Sequence, residues 1–356
     1  MDDSSHTPGT LEQWRDFVTF ERPSLEVLPR TALLSLSDDA RELYNEQRFA
    51  AINATMVLAT PQLMEITQQV AMLRAMSSGA QHTVRHGLAL SGLQTLGKST
   101  AAMYVGRTHE VSMRRRFARL GDDSFAPTVY ITTPPSSNAK SLMTRFATML
   151  GLPVRSRATT EDVTRQVVSV MHELGTTMVI IDEIQNLRTR AQTGQEAASA
   201  LKGLAEQVPA LFVYVGVDLP RSDFLSGPMG RQMRGRVTLH QISPYSVGSK
   251  AGRDKWERLI MMFEQEFPLA DHDVGSVAAE AGWLYEATGG VIGSLRTLLR
   301  KAQVGAILEG KEHVDSKRLR SVELDWQAQS QAITRQQEVA GLANAKTRSR
   351  PKSGQR

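Results

Sequence analysis

One stretch constrains this chain more than any other: Leu88-Ala-Leu-Ser-Gly92-Leu93-Gln94-Thr95-Leu96-Gly97-Lys98-Ser99-Thr100. Its apolar start predicts a buried strand. The spacing that follows, Gly-x-x-x-x-Gly-Lys-Ser, is that of a phosphate-binding loop. The residue types follow from the chemistry of a polyphosphate. Several crowded negative charges can be surrounded closely only by backbone N–H groups, and Gly92 and Gly97 lack the Cβ that would hold the backbone away. A helix starting near Lys98 aims its N-terminus at the same anion. In such a loop Lys98 reaches the β- and γ-phosphates, and the Ser99 hydroxyl is a ligand for Mg²⁺.

A second motif completes the first. Thr177-Met-Val-Ile-Ile181-Asp182-Glu183 is an apolar, mostly β-branched run that ends in two acids. A strand buried on both faces of a parallel sheet has this composition, and ligands of open α/β sheets bind beyond the carboxyl ends of the strands. Asp182 is expected in the Mg²⁺ shell and Glu183 as the group that polarises an attacking water. The pair of motifs predicts a nucleoside-triphosphate site for ATP and Mg²⁺.

The remaining strands are expected at Pro127 to Thr133, Ala210 to Gly216 and Val237 to Ile242. Asp218, just past the second of these, is either a polar sensor of water and γ-phosphate or a cap for the next segment. Arg231, Arg234 and Arg236 precede the last strand. They are either a surface cluster or the source of an arginine that completes a neighbouring subunit's site. Thr60-Pro61 opens a helix that ends at Ser77-Ser78-Gly79. Further helices are expected from Lys98 to about Thr108, from Glu110 to Leu120, from Ala139, and from Thr160 to Leu174. Arg114, Arg115, Arg116 and Arg119 read as a solvated face or as phosphate-backbone contacts. After Pro244 the pattern is helical, with Trp256, Leu259, Ile260, Phe263 and Phe267 on one face. More helices follow over Val277 to Ala287, from Gly293 and from Val314.

These elements predict an α/β fold: a three-layer P-loop domain with a parallel sheet at 48–247, followed by a small all-helical lid at 248–324. Residues 1–47 form an arm, with short helices at Leu11 to Phe20 and Asp38 to Gln47. The arm is either loosely attached or docked on a neighbour. Residues 325–356 form a basic tail (Lys346, Arg348, Arg350, Lys352, Arg356) of disordered composition. There is no cysteine among the 356 residues, which excludes disulfides and thiolate metal sites. The acidic, polar N-terminus is unlike a secretion signal, and the longest apolar run, Val208 to Val217, is too short to span a bilayer. A cytoplasmic protein without membrane contact is expected. The net charge of +5 permits a nucleic-acid partner.

The α/β nucleotide domain, the arginines before the last strand and a helical lid with Gly293-Ser-Leu-Arg296 resemble the AAA+ ATPases. That resemblance makes Arg296 a sensor of the γ-phosphate and Arg236 the best match to the arginine acting in trans. The strand end Thr-Thr-Pro-Pro, the box Val-Ile-Ile-Asp-Glu-Ile-Gln-Asn-Leu and the lid segment Thr288 to Arg296 look more narrowly like the TniB/TnsC transposition ATPases, with MuB a more distant relative. This resemblance covers roughly Thr60 to Leu324. It implies slow, assembly-stimulated hydrolysis of ATP and a homo-oligomeric ring or helical filament on double-stranded DNA. It also implies a transposase or integrase-type partner and a target-selector protein. The DNA-facing loops of the family match Ser136 to Lys140 and Arg157 to Thr160, with Lys140 and Thr159 as contact candidates. Two alternatives stand beside it: a helicase loader acting on single strands, and a nucleotide-dependent signalling switch that never touches DNA. Aromatic residues are only 6% of the chain and do not cluster near these loops, as a single-strand stacking platform would require.

Overall fold

The computed structural model describes residues 7–22, 24–54, 57–77, 86–187, 192–222, 234–326 and 328–330. Among them, in chain order, are α1 (Leu11–Thr19), α2 (Arg30–Ser35), α3 (Asp38–Asn53), α4 (Pro61–Ser77), β1 (Gly87–Ser91), α5 (Lys98–Arg116), β2 (Thr128–Thr132), α6 (Ala139–Met149), α7 (Thr160–Glu173), β3 (Met178–Asp182), α8 (Gln192–Gln207), β4 (Leu211–Gly216), β5 (Val237–Gln241), α9 (Lys250–Glu264), α10 (Ala281–Thr288), α11 (Ile292–Leu308) and α12 (Ser316–Ser321). Short 3₁₀ turns stand at Ile184–Asn186, Leu219–Arg221 and Ala278–Glu280. The chain divides into two compact units. One draws on Met1–Glu21 and Ala59–Ser243, the other on Arg22–Leu58 and from Pro244 onward.

The first unit is built on a parallel sheet in the order β2-β3-β4-β1-β5. Strands β1, β3 and β4 are buried along their whole length, as their unbroken apolar runs require. Strand β5 closes one edge and is largely exposed. The register sets Ser91, the last residue of β1, beside Gly216, the last of β4. On the far side of β4, β3 ends in Asp182.

Helix α1 is integral to this unit, not loosely attached. Trp14 is 1% exposed and stacks on Tyr130 of β2. Arg107 of α5 donates to the carbonyls of Val18 and Phe20. Helix α5 runs unbroken to Arg116 where two helices were expected. Arg114 is neither a solvated charge nor free for phosphate. It is buried against Glu110 at 2.8 Å and also donates to the carbonyls of Arg119, Asp122 and Phe125. The reason is rotation: 100° per residue turns Arg115 and Arg116 outward while Arg114 faces the core. Helices α2 and α8 were not expected from the sequence.

The second unit has an all-helical core of Trp256, Leu259, Ile260, Leu295, Leu298 and Ala302, joined by Ile52 of α3. The helix expected from Val277 begins only at Ala281. The buried Glu264 carboxylate accepts the amides of Val277 and Ala278 at 2.7 and 3.1 Å, and so satisfies a tight turn there. Gly290, at φ +73°, lets the chain pass the Tyr245 carbonyl, which a Cβ would meet at 2.2 Å. The α3 helix is pinned by Arg48, whose Nη1 lies 2.6 Å from Glu312 with both side chains almost fully buried. Breaking such a pair strands a charge, whereas replacing both partners with apolar groups does not. Arg48→Met is expected to cost about 3–5 kcal/mol, and adding Glu312→Leu to recover most of it. Denaturant midpoints of the two variants measure both effects.

Candidate nucleotide site

The loop of residues 92–97 leaves β1 and enters α5. Ser91 Oγ accepts the Leu219 amide at 3.1 Å, which ties the end of β1 to the turn after β4. Gly92 has no room for a side chain: a Cβ would stand 2.6 Å from the Ile242 carbonyl oxygen. Thr95 (φ +59°) and Gly97 (φ +79°) curl the loop back on itself. Leu93, Gln94 and Thr95 turn their side chains to solvent, while Leu96 is buried and anchors the loop. Ser99 and Thr100 lie in the first turn of α5.

Lys98 is 7% exposed, and its Nζ donates to the Leu93 carbonyl at 2.5 Å. Among the described residues it forms no ion pair. Burial pulls its pKa below that of an ordinary lysine, and the Glu183 and Asp182 carboxylates pull it part of the way back. The ammonium therefore stands at the positive end of a helix with no counter-ion in contact. An anion is the complement of that arrangement.

Across the crevice, Asp182 is buried and each of its oxygens accepts one hydrogen bond. Tyr130 Oη donates to Oδ2 at 2.7 Å, and the Glu183 amide donates to Oδ1 at 2.8 Å. Burial, with the Asp182 charge second, pushes the Tyr130 phenol well above its usual pKa, so it remains a donor. Glu183 is left-handed at φ +55°. A non-glycine residue held there stores strain, typical of functional positions. Gln185 Nε2 donates to Glu183 Oε2, while its Oε1 accepts the Val217 amide at 3.0 Å. Gly216 makes room for this amide, since a Cβ there would lie 2.5 Å from Gln185 Oε1. Asn186 Nδ2 reaches the Thr133 carbonyl at 2.9 Å. Tyr130 and Gln185 join the site from outside the residues expected from the sequence. Gln185 lies inside the acid box, but nothing local marks Tyr130.

The donor set suits Mg²⁺. The Ser99 hydroxyl and Asp182 carboxylate are hard oxygen ligands, and Mg²⁺ typically takes only one or two carboxylates beside phosphates and water. No cluster of three or more His, Cys, Asp or Glu residues fit to hold a metal occurs among the described residues.

The other candidates are placed as follows. Asp218 is left-handed at φ +45°; its carbonyl accepts the amides of Arg221 and Ser222, and its side chain lies 3.7 Å from Arg221. Arg236 pairs with Glu206 at 3.0 Å just before β5. Arg234 is described nearby, and Arg231 lies outside the described residues, as does most of the basic tail. Lys140 Nζ donates to the Ser156 carbonyl at 3.2 Å, so the two expected DNA loops adjoin. Thr159 caps α7 reciprocally with Asp162. In the second unit, Arg296 is mostly buried and donates to the Ala54 carbonyl at 2.9 Å, at the C-terminal end of α3.

A parallel sheet in this strand order, with a glycine loop after β1 and paired acids closing β3, is the α/β fold of a P-loop nucleotide-binding domain. The family model described as "Bacterial TniB protein" matches residues 48–243, more than half of the chain, and the chain belongs to that family. None of the curated proteins matches it in sequence. Solved structures with a similar fold include the Aeropyrum pernix ORC2 protein in ADPNP–ADP complexes. It is 14% identical at a TM-score of 0.58, over 76% of this chain and 70% of that one. The Aeropyrum pernix ORC1 protein in complex with DNA is 17% identical at 0.54, over 85% and 69%. Cdc6p from Pyrobaculum aerophilum is 15% identical at 0.52, over 74% and 67%.

The packing of Gln185 against Gly216 yields a direct expectation. Gly216→Ala inserts a methyl 2.5 Å from Gln185 Oε1 and 2.7 Å from a Leu219 methyl, which overpacks the turn. A loss of about 1–3 kcal/mol is expected, read as a lowered denaturant midpoint.

Proposed function

We propose that this chain is an Mg²⁺-dependent ATPase that regulates DNA transposition, assembling on double-stranded target DNA and engaging a DDE-type transposase. The observation that carries the nucleotide half is the buried Lys98 ammonium, without a counter-ion, at a helix N-terminus that faces the Asp182 and Glu183 carboxylates. Family membership supports the transposition half.

The chemistry follows from the residues. Backbone N–H groups of residues 92–97 and the Lys98 ammonium hold the triphosphate. Ser99 and Asp182 would hold Mg²⁺, which would supply neutralising charge to the phosphates when bound. Glu183 accepts the proton of the attacking water. Gln185 links that carboxylate to the end of β4, where Asp218 would sense the γ-phosphate. Arg236 would leave Glu206 for the phosphate of a neighbouring subunit, and Arg296 would act as the lid's phosphate sensor. Nucleotide state then biases assembly, because ATP and ADP make different contacts at the interface. Lys140 and the cap at Thr159 present a DNA-backbone contact, which positions the assembly without reading bases.

Lys98→Ala is expected to abolish nucleotide binding, and Glu183→Gln to keep binding while lowering turnover by about 10²–10⁴-fold. A fluorescent ATP analogue reports the first and phosphate release the second. Normal turnover in Glu183→Gln would contradict the role given to it. Lys140→Ala should weaken binding evenly across DNA sequences and reduce the salt slope of log K by about 1. Competition between single- and double-stranded DNA at one fixed salt tests the partner. Preference for single strands would favour a helicase loader, and absence of DNA binding a signalling switch.

A further inference from the structure

We propose that Tyr130 is a positioning residue for the metal carboxylate Asp182, held in place by Trp14, so that helix α1 sets how tightly the nucleotide site binds its Mg²⁺. The proposal rests on the reading of Asp182 as a metal ligand.

Tyr130 sits on β2, the strand paired with β3, and its ring is fully buried. A buried phenol needs a partner, and at this position Phe would pack with no such need. The partner here is Asp182 Oδ2, at 2.7 Å. With the Glu183 amide on Oδ1, the carboxylate is fixed in rotation by one donor on each oxygen, and each oxygen keeps a lone pair for a cation. Ligating carboxylates are commonly oriented this way, and loss of the orienting bond weakens metal affinity.

What fixes Tyr130 comes from another part of the chain. The Trp14 indole lies parallel to its ring, 5° between planes and 5.7 Å between centroids. Trp14 enters through Gly106 of α5, where a Cβ would stand 2.8 Å from the indole and 2.8 Å from Ile180 of β3. Helix α5 is the helix that begins at Lys98, so Trp14 is wedged between the phosphate-side helix and the metal-side strands. Arg107 clamps the C-terminal end of α1 through the Val18 and Phe20 carbonyls, each at 2.9 Å. Arg15 donates to the Asp123 carbonyl. Helix α1 lies outside the segment shared with the family, residues 48–243. The geometry therefore gives the N-terminal helix a route to the metal: indole to phenol to carboxylate.

The test uses the full chain with ADP and Mn²⁺ as a spectroscopic stand-in for Mg²⁺, bound Mn²⁺ being counted by electron paramagnetic resonance. Tyr130→Phe should raise the Mn²⁺ dissociation constant by about 10-fold or more. Its ADP affinity in EDTA should stay unchanged. Trp14→Phe should shift Mn²⁺ affinity in the same direction by less. Thermal unfolding of each variant separates this from a merely structural role, which would lower the melting temperature and leave Mn²⁺ affinity alone. Wild-type Mn²⁺ affinity in Tyr130→Phe overturns the inference by itself. A wild-type chain that binds ADP and takes up no Mn²⁺ overturns the reading of Asp182 along with it.

Discussion

A lysine ammonium is buried where a helix begins, and the first unit is arranged around that fact. The helix start already carries partial positive charge, and the surroundings of Lys98 strip away most of its water. Among the described residues nothing in contact neutralises it. The opposing carboxylates act from across the crevice and leave its pKa below normal. An anion is the complement of such a site. The loop geometry supplies the shape: Gly92 is squeezed against the Ile242 carbonyl, and positive φ at Thr95 and Gly97 turns the backbone around the ligand's place.

Strand β4 separates the loop from the acids, and its end does more than space them. Ser91 is bonded to the Leu219 amide, and Gln185 is bonded to the Val217 amide. The phosphate side and the carboxylate side therefore both grip the turn that follows β4. Movement of that turn would be felt on both sides. The left-handed residues Glu183 and Asp218 are held in strained conformations on this same surface.

The second unit uses buried charge differently. Arg48 and Glu312 neutralise each other, and Glu264 is satisfied by two amides and by His272. With His272 Nδ1 accepting the Val314 amide, the imidazole proton sits on Nε2 and faces Glu264. These groups hold segments together and leave no charge in search of a ligand. Arg296 belongs with them in this state, because its guanidinium satisfies a carbonyl at the end of α3.

The glycine loop, the acids ending an apolar strand and the arginine-bearing lid were legible because each is local. Spacing and strand burial are written within a few residues, and they led from sequence to class and family. Helix starts were legible where the local sequence announced them, as at the Thr60-Pro61 cap and at Lys98 after the glycine loop. They failed at α5, where an arginine run looked like solvated surface although helical rotation buries one of its members. The orientation of Asp182 was not legible at all. It depends on Trp14, Gly106 and Tyr130, which lie far apart in the chain, and each has an ordinary local context. Sequence alone determined the fold class, the family and which residues are candidates for the chemistry, because that information is periodic and near. Only the tertiary structure decided which side chains steady those atoms, because hydrogen bonds and ring contacts between distant segments exist only once the sheet has assembled.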